Sequence, residues 1–115
     1  MRAVVRHFIS PDIDLDDFRP EEPADFSFLL QVLVGPSDSE GEESLELIVC
    51  TPRALERRVA SEGVVFGRPL VIVESPDISR ILKAVRGAVE RLEAPSWDAL
   101  CGKLERLGIY EFEDC

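Results

Sequence analysis

Asp12, Asp14 and Asp16 stand at alternate positions in the stretch Ser10-Pro11-Asp12-Ile13-Asp14-Leu15-Asp16-Asp17. Carboxylates at the first, third and fifth places are how an EF-hand calcium loop begins. The pattern then fails: the sixth place, which needs glycine for a sharp turn, is Asp17, and the twelfth, which needs a bidentate glutamate, is Pro23. A solvated acidic loop or a partner-binding loop fits better than a metal site. A metal-binding protein using these aspartates is the weaker alternative. The sole histidine, His7, sits in a strand pattern, where a lone imidazole is mostly structural or exposed. No Gly-rich phosphate loop occurs. Cys50, Cys101 and Cys115 are odd in number and widely spaced, which suggests neither a disulfide framework nor a zinc site. Reduced thiols are the simplest reading, with Cys50 and Cys101 as small core residues. No catalytic residue, metal ligand or cofactor is therefore assigned, and the chain is not expected to be an enzyme.

What remains is charge. The formal net charge is -10 over 115 residues. Residues 1–50 hold 12 acidic and 3 basic side chains, and residues 51–115 hold 11 and 10. So lopsided a distribution predicts a directional field and a basic protein partner. It argues against nucleic acid and anionic membranes as partners. The acidic residues fall in two groups. Residues 11–25 carry seven carboxylates against Arg19, and Ser37 to Glu43 brings Glu40, Glu42 and Glu43 together. The candidate partner-binding residues are Asp12, Asp14, Asp16, Asp17, Glu40, Glu42 and Glu43, in two loops whose fields are expected to add. Exposed carboxylates give little affinity singly, so apolar anchors must supply the rest. Phe18 and Tyr110 qualify, although a core role suits each equally.

These loops need elements to hold them. Alternating apolar residues predict strands over Arg2–Ser10, Phe26–Gly35 and Ser44–Thr51, the last two forming an antiparallel hairpin with an acidic tip. Ser10-Pro11 and Gly35-Pro36 act as stops. Three prolines keep residues 11–25 from becoming a long helix or central strand, with Ile13, Leu15 and Phe18 as anchors. Thr51-Pro52 opens a short helix with Leu55 and Val59 as its stripe and Gly63 as its stop. A further strand falls within Val64–Glu74, strongest at Leu70–Val73. Pro76-Asp77 starts the longest helix, where Ile78, Ile81, Leu82, Val85, Val89 and Leu92 recur at helical spacing and Gly87 suggests close packing. Ser96 caps a last helix bearing Trp97, Leu100, Cys101, Leu104 and Leu107, stopped by Gly108. Ile109–Cys115 is a tail or final edge strand with Tyr110 and Phe112 on one side. The order β-β-β-α-β-α-α(-β) predicts an α+β fold: a mainly antiparallel sheet of four to five strands with two or three helices on one face. Residues 1–115 read as one domain. There is no apolar run long enough to span a bilayer and no signal-peptide pattern, so a cytoplasmic protein is expected. Oligomeric state and the identity of the edge strand stay open.

Several stretches in this order resemble the Immunity protein 8 family of bacterial polymorphic toxin systems. They are Ser10-Pro11-Asp12-Ile13, Phe26-Ser27-Phe28-Leu29-Leu30-Gln31-Val32 running to Gly35-Pro36, and Val49-Cys50-Thr51-Pro52 with Leu55 close behind. Phe66-Gly67-Arg68, Trp97 and the ending Tyr110-Glu111-Phe112-Glu113-Asp114 complete the likeness over almost the whole chain. The resemblance implies a cytoplasmic, non-enzymatic protein that neutralises a cognate toxin by binding it. The chain departs from many relatives at Tyr110, at Cys115 and near Ala54, so no binding residue is carried over. The expected mechanism is that both acidic loops dock on one basic cleft, such as that of a nuclease. A regulatory or adaptor module is the alternative.

Overall fold

A computed structural model describes residues 1–110 of the chain. The elements are β1 (Ala3–Ile9), β2 (Ser27–Pro36), β3 (Glu43–Cys50), α1 (Pro52–Glu62), β4 (Leu70–Ile72), α2 (Ile78–Glu90), α3 (Trp97–Leu104) and β5 (Ile109–Tyr110). The fold is α+β, in the order the sequence predicts. The expected terminal strand begins as β5, while its continuation, with Phe112 and Cys115, lies outside the described residues.

The sheet runs β1-β2-β3-β4, with β5 also pairing β3. β1, β2 and β3 are antiparallel neighbours, β4 joins β3 in parallel, and β5 joins it antiparallel. A parallel neighbour needs a crossover, and α1 supplies it. β2 continues through Pro36, which faces Ala3 at the strand's last position, where a missing N–H is tolerated.

Alternation decides what each strand buries. On one face Phe28, Leu30, Val32 and Val34 of β2 meet Leu45, Leu47 and Val49 of β3, all 3% exposed or less. Ile81, Val85 and Val89 of α2 and Leu100 and Leu104 of α3 complete this core. Two helices thus cover that face. α1 buries only Ala54, leaves Val59 exposed, and lies beside Ser27, Ile48, Cys50 and Leu70, on the other face.

The helix starts are capped as their sequences suggest. Thr51, Asp77 and Ser96 accept hydrogen bonds from Ala54, Arg80 and Ala99 N–H. Gly63 ends α1 at φ 82. Gly87 does not mark close packing, because a Cβ there would meet nothing within 4 Å. Gly108 does: a Cβ would lie 2.5 Å from the Glu46 carbonyl oxygen and 2.8 Å from Leu47 Cδ2.

The free edge of β1 is closed by side chains. Val5 N–H donates to Glu90 Oε2 at 2.9 Å, and Arg86 Nη1 donates to the Val5 carbonyl at 3.2 Å. Met1 and Ala94 exchange two further hydrogen bonds, and Arg2 pairs with Glu93. Groups that would template another strand are thereby occupied.

Cys50 is a free thiol, buried as expected, and burial pushes its pKa up against the smaller opposing effect of Arg58. It is a poor nucleophile for that reason. Cys101 is also buried but is disulfide-bonded, so the expectation of a reduced thiol fails at that position.

Candidate functional site

The two acidic loops do not share a surface. The first leads into β2 and the second leaves it, so they sit at opposite ends of a ten-residue strand, roughly 30 Å of extended chain. The two groups therefore do not form the single patch that the expectation of one docking cleft supposes.

The loop before β2 is a folded part of the body. β1 stops at Ile9, opposite Gln31, which leaves Leu29 without a strand partner on that side. Side chains stand in for it. Asp12 Oδ2 accepts from Leu29 N–H at 2.7 Å, and Ser10 Oγ donates to the Leu29 carbonyl at 2.7 Å. Asp14 Oδ1 accepts from Asp16 N–H in a local turn, and Asp17 pairs with Arg19. Asp25 and Glu22 pair with Arg57 and Arg53 of α1. Ile13, Leu15 and Phe18 pack on the core, Phe18 meeting the rings of Phe26 and Phe28 edge-on. Phe18 is therefore part of the body and not an exposed anchor. Asp12, Asp14, Asp16 and Asp17 are exposed. Asp12, Asp14 and Asp17 turn toward separate partners, and among the described residues no three groups converge as metal ligands.

The hairpin tip is different. Glu40 and Glu42 are exposed, and no described residue forms an ion pair with either. Glu43 starts β3 on the core side, half-buried, with Cys101 Sγ at 3.9 Å from its carboxylate. Its charge joins that of Glu105 and, above both, burial in pushing the Tyr110 phenol well up from its usual range. Tyr110 packs against the core and its hydroxyl is buried without a hydrogen-bond partner. It too is a body residue.

The surface that the alternation pattern alone did not reveal is the second face of the sheet. Sheets of this kind usually alternate apolar-in with polar-out. Here the outward residues of β2 are Leu29, Gln31 and Leu33, and those of β3 are Ser44, Glu46 and Ile48. The strand register lines Ile9, Gln31, Glu46 and Ile109 into one row across four strands. Ile9 and Ile109, at its ends, are 45% and 43% exposed. The neighbouring row is His7, Leu33 and Ser44.

α1 covers the lower end of this face, beside Ile48 and Cys50. At the upper end the hairpin tip folds over it. A Cβ on Gly35 would lie 2.2 Å from the Gly41 carbonyl oxygen and 2.9 Å from Arg6 Nε. Arg6, at the bulge in β1, holds the tip down by donating to the carbonyls of Pro36 and Ser39 at 2.8 and 2.7 Å. Glu40 and Glu42 flank Gly41 and so belong to the rim of this face. A separate apolar projection, Val64 and Phe66 at 72% and 84% exposed, lies in the connection from α1 to β4. Leu29 and Leu33, apolar at outward positions on either side of Gln31, were the available signal for the open face. Nothing local marked it as left open by the described helices.

Among the described residues no helix is long and apolar enough to cross a membrane. Residues 3–115 match the family described as Immunity protein 8. No curated protein and no solved structure matches the chain.

Proposed function

The chain belongs to the Immunity protein 8 family, and from that premise we propose that it neutralises a cognate bacterial toxin domain by binding it, as a single domain acting in the cytoplasm and without chemistry of its own. The observation that carries this reading is the extent of the family match, residues 3–115. The net charge of -10 supports a cationic partner surface. A nuclease is the toxin class this charge fits best, because a cleft that holds phosphates is itself basic. The carboxylates at Glu40 and Glu42 suit an encounter role, steering such a partner toward the face they rim. Asp12, Asp14, Asp16 and Asp17 would act from the far end of the molecule, through the long-range field and not through a shared contact.

Co-expression tests the reading directly. The toxin domain encoded beside this chain should kill a bacterial host alone and spare it when the chain is supplied. The two should also co-purify. A toxin that stays lethal and never co-purifies would exclude the immunity role and favour the adaptor alternative. Titration calorimetry with calcium, magnesium and manganese tests the metal alternative, which micromolar binding would revive.

A further inference from the structure

We infer that the sheet face whose middle no described helix covers is where the toxin docks, and that Glu46 at its centre receives an arginine or lysine side chain of the toxin. The inference rests on the immunity role proposed for this chain and adds the surface and the chemistry of contact.

Three observations converge on this face. First, it is apolar where a solvent face should be polar: Leu33, Ile9 and Ile109 surround its centre, the two isoleucines nearly half exposed. Exposed apolar area of this kind marks an interaction site. Second, the centre carries a charge that no described residue compensates. Glu46 is half-buried among these residues, and no described residue forms an ion pair with it. Gln31 stands directly across the strand pair from it, within side-chain reach. Third, Ser44 lies two residues along β3 and projects from the same face. It is 5% exposed, and among the described residues its hydroxyl has no hydrogen-bond partner. A buried polar atom left without a partner is unusual in a native fold.

These features describe one kind of visitor. The long apolar stem of an arginine or lysine covers Leu33 and Ile9, and its charged end meets the Glu46 carboxylate. Gln31 Oε1 adds an acceptor beside it. An anionic partner is disfavoured by Glu46 and by Glu40 and Glu42 on the rim. A second copy of this chain would bring the same carboxylates against one another. The occupant that matches in charge is a cationic protein, and for this family that is the toxin.

The test uses the full chain and a catalytically inactivated form of its toxin domain in titration calorimetry, with melting temperatures to show that each variant is folded. Glu46→Gln, close in shape to the native side chain, should weaken binding about tenfold or more, in line with loss of one partner from a desolvated charge pair. Glu46→Arg should abolish it. Glu21→Gln, at the far end, should stay within about twofold of the native affinity. Native affinity in folded Glu46→Gln and Glu46→Arg would overturn the surface while leaving the immunity role intact. A native chain that does not bind the toxin at all would overturn both. Sedimentation of the chain alone gives the remaining arm: a dimer that Glu46→Arg dissociates would mean that a second copy occupies the face, and the inference would be wrong.

Discussion

Single residues in this protein differ sharply in what a change would do, and the difference comes from the space and partners around each. Gly108 presses against β3, with room for no side chain. Gly108→Ala should cost about 1–3 kcal/mol in urea unfolding, the range for forcing an extra carbon into packed surroundings. Gly87 lies in α2 with open space around it. Gly87→Ala should stabilise by about 0.5–1 kcal/mol, since alanine loses less chain entropy on folding. Tyr110 gives a pH signature. Burial, aided by Glu43 and Glu105, raises its folded pKa above the unfolded value. The folded state therefore favours the neutral phenol. Its share of stability is complete below the unfolded pKa of about 10 and is lost as pH rises past it. Tyr110→Phe should flatten that alkaline loss. It should cost little at neutral pH, because the hydroxyl it removes has no partner. Unfolding midpoints at pH 7 and above pH 10 decide both points.

At the level of elements, the loop 11–25 shows how a segment rich in carboxylates becomes architecture. β1 ends early, and Asp12 and Ser10 take over the hydrogen bonds of the missing strand at Leu29. Asp12→Ala should leave that N–H unmatched and destabilise the fold by about 1–3 kcal/mol, whereas Asp16→Ala, whose side chain holds nothing described, should fall within about 0.5 kcal/mol of native. Equal effects in urea melts would show that Asp12 is only a surface charge. The hairpin 37–42 contrasts with this loop: its acidic side chains have no described cation, and the tip is fastened through backbone carbonyls to Arg6. One acidic group thus builds the body, and the other pairs with no described cation. Composition alone treats them as equals.

For the whole molecule, the consequence is that these two acidic groups sit at two ends of β2 and not in one patch. With a Debye length of about 8 Å at physiological salt, groups separated by the length of β2 act almost independently. Reversing Glu40 and Glu42 should slow toxin association and reduce its salt dependence. Reversing Asp14 and Asp16 should do less, and the combination should equal the sum of the two. A strongly non-additive result in stopped-flow rates would mean that one cleft feels both groups. Much of the architecture was legible in the chain itself. Alternation at Phe28, Leu30, Val32 and Val34, the caps Thr51, Asp77 and Ser96, and helical spacing through Ile81, Val85 and Val89 are local signals, and local rules read them. The separation of the acidic loops was also implicit, since an extended strand holds the segments at its two ends far apart. Which sheet face goes uncovered, which edge is sealed by Glu90 and Arg86, and whether Gly87 or Gly108 is the packed glycine were settled only by tertiary contacts. Periodicity says which side chains share a face, but whether anything lies against that face depends on helices that the chain supplies many residues later.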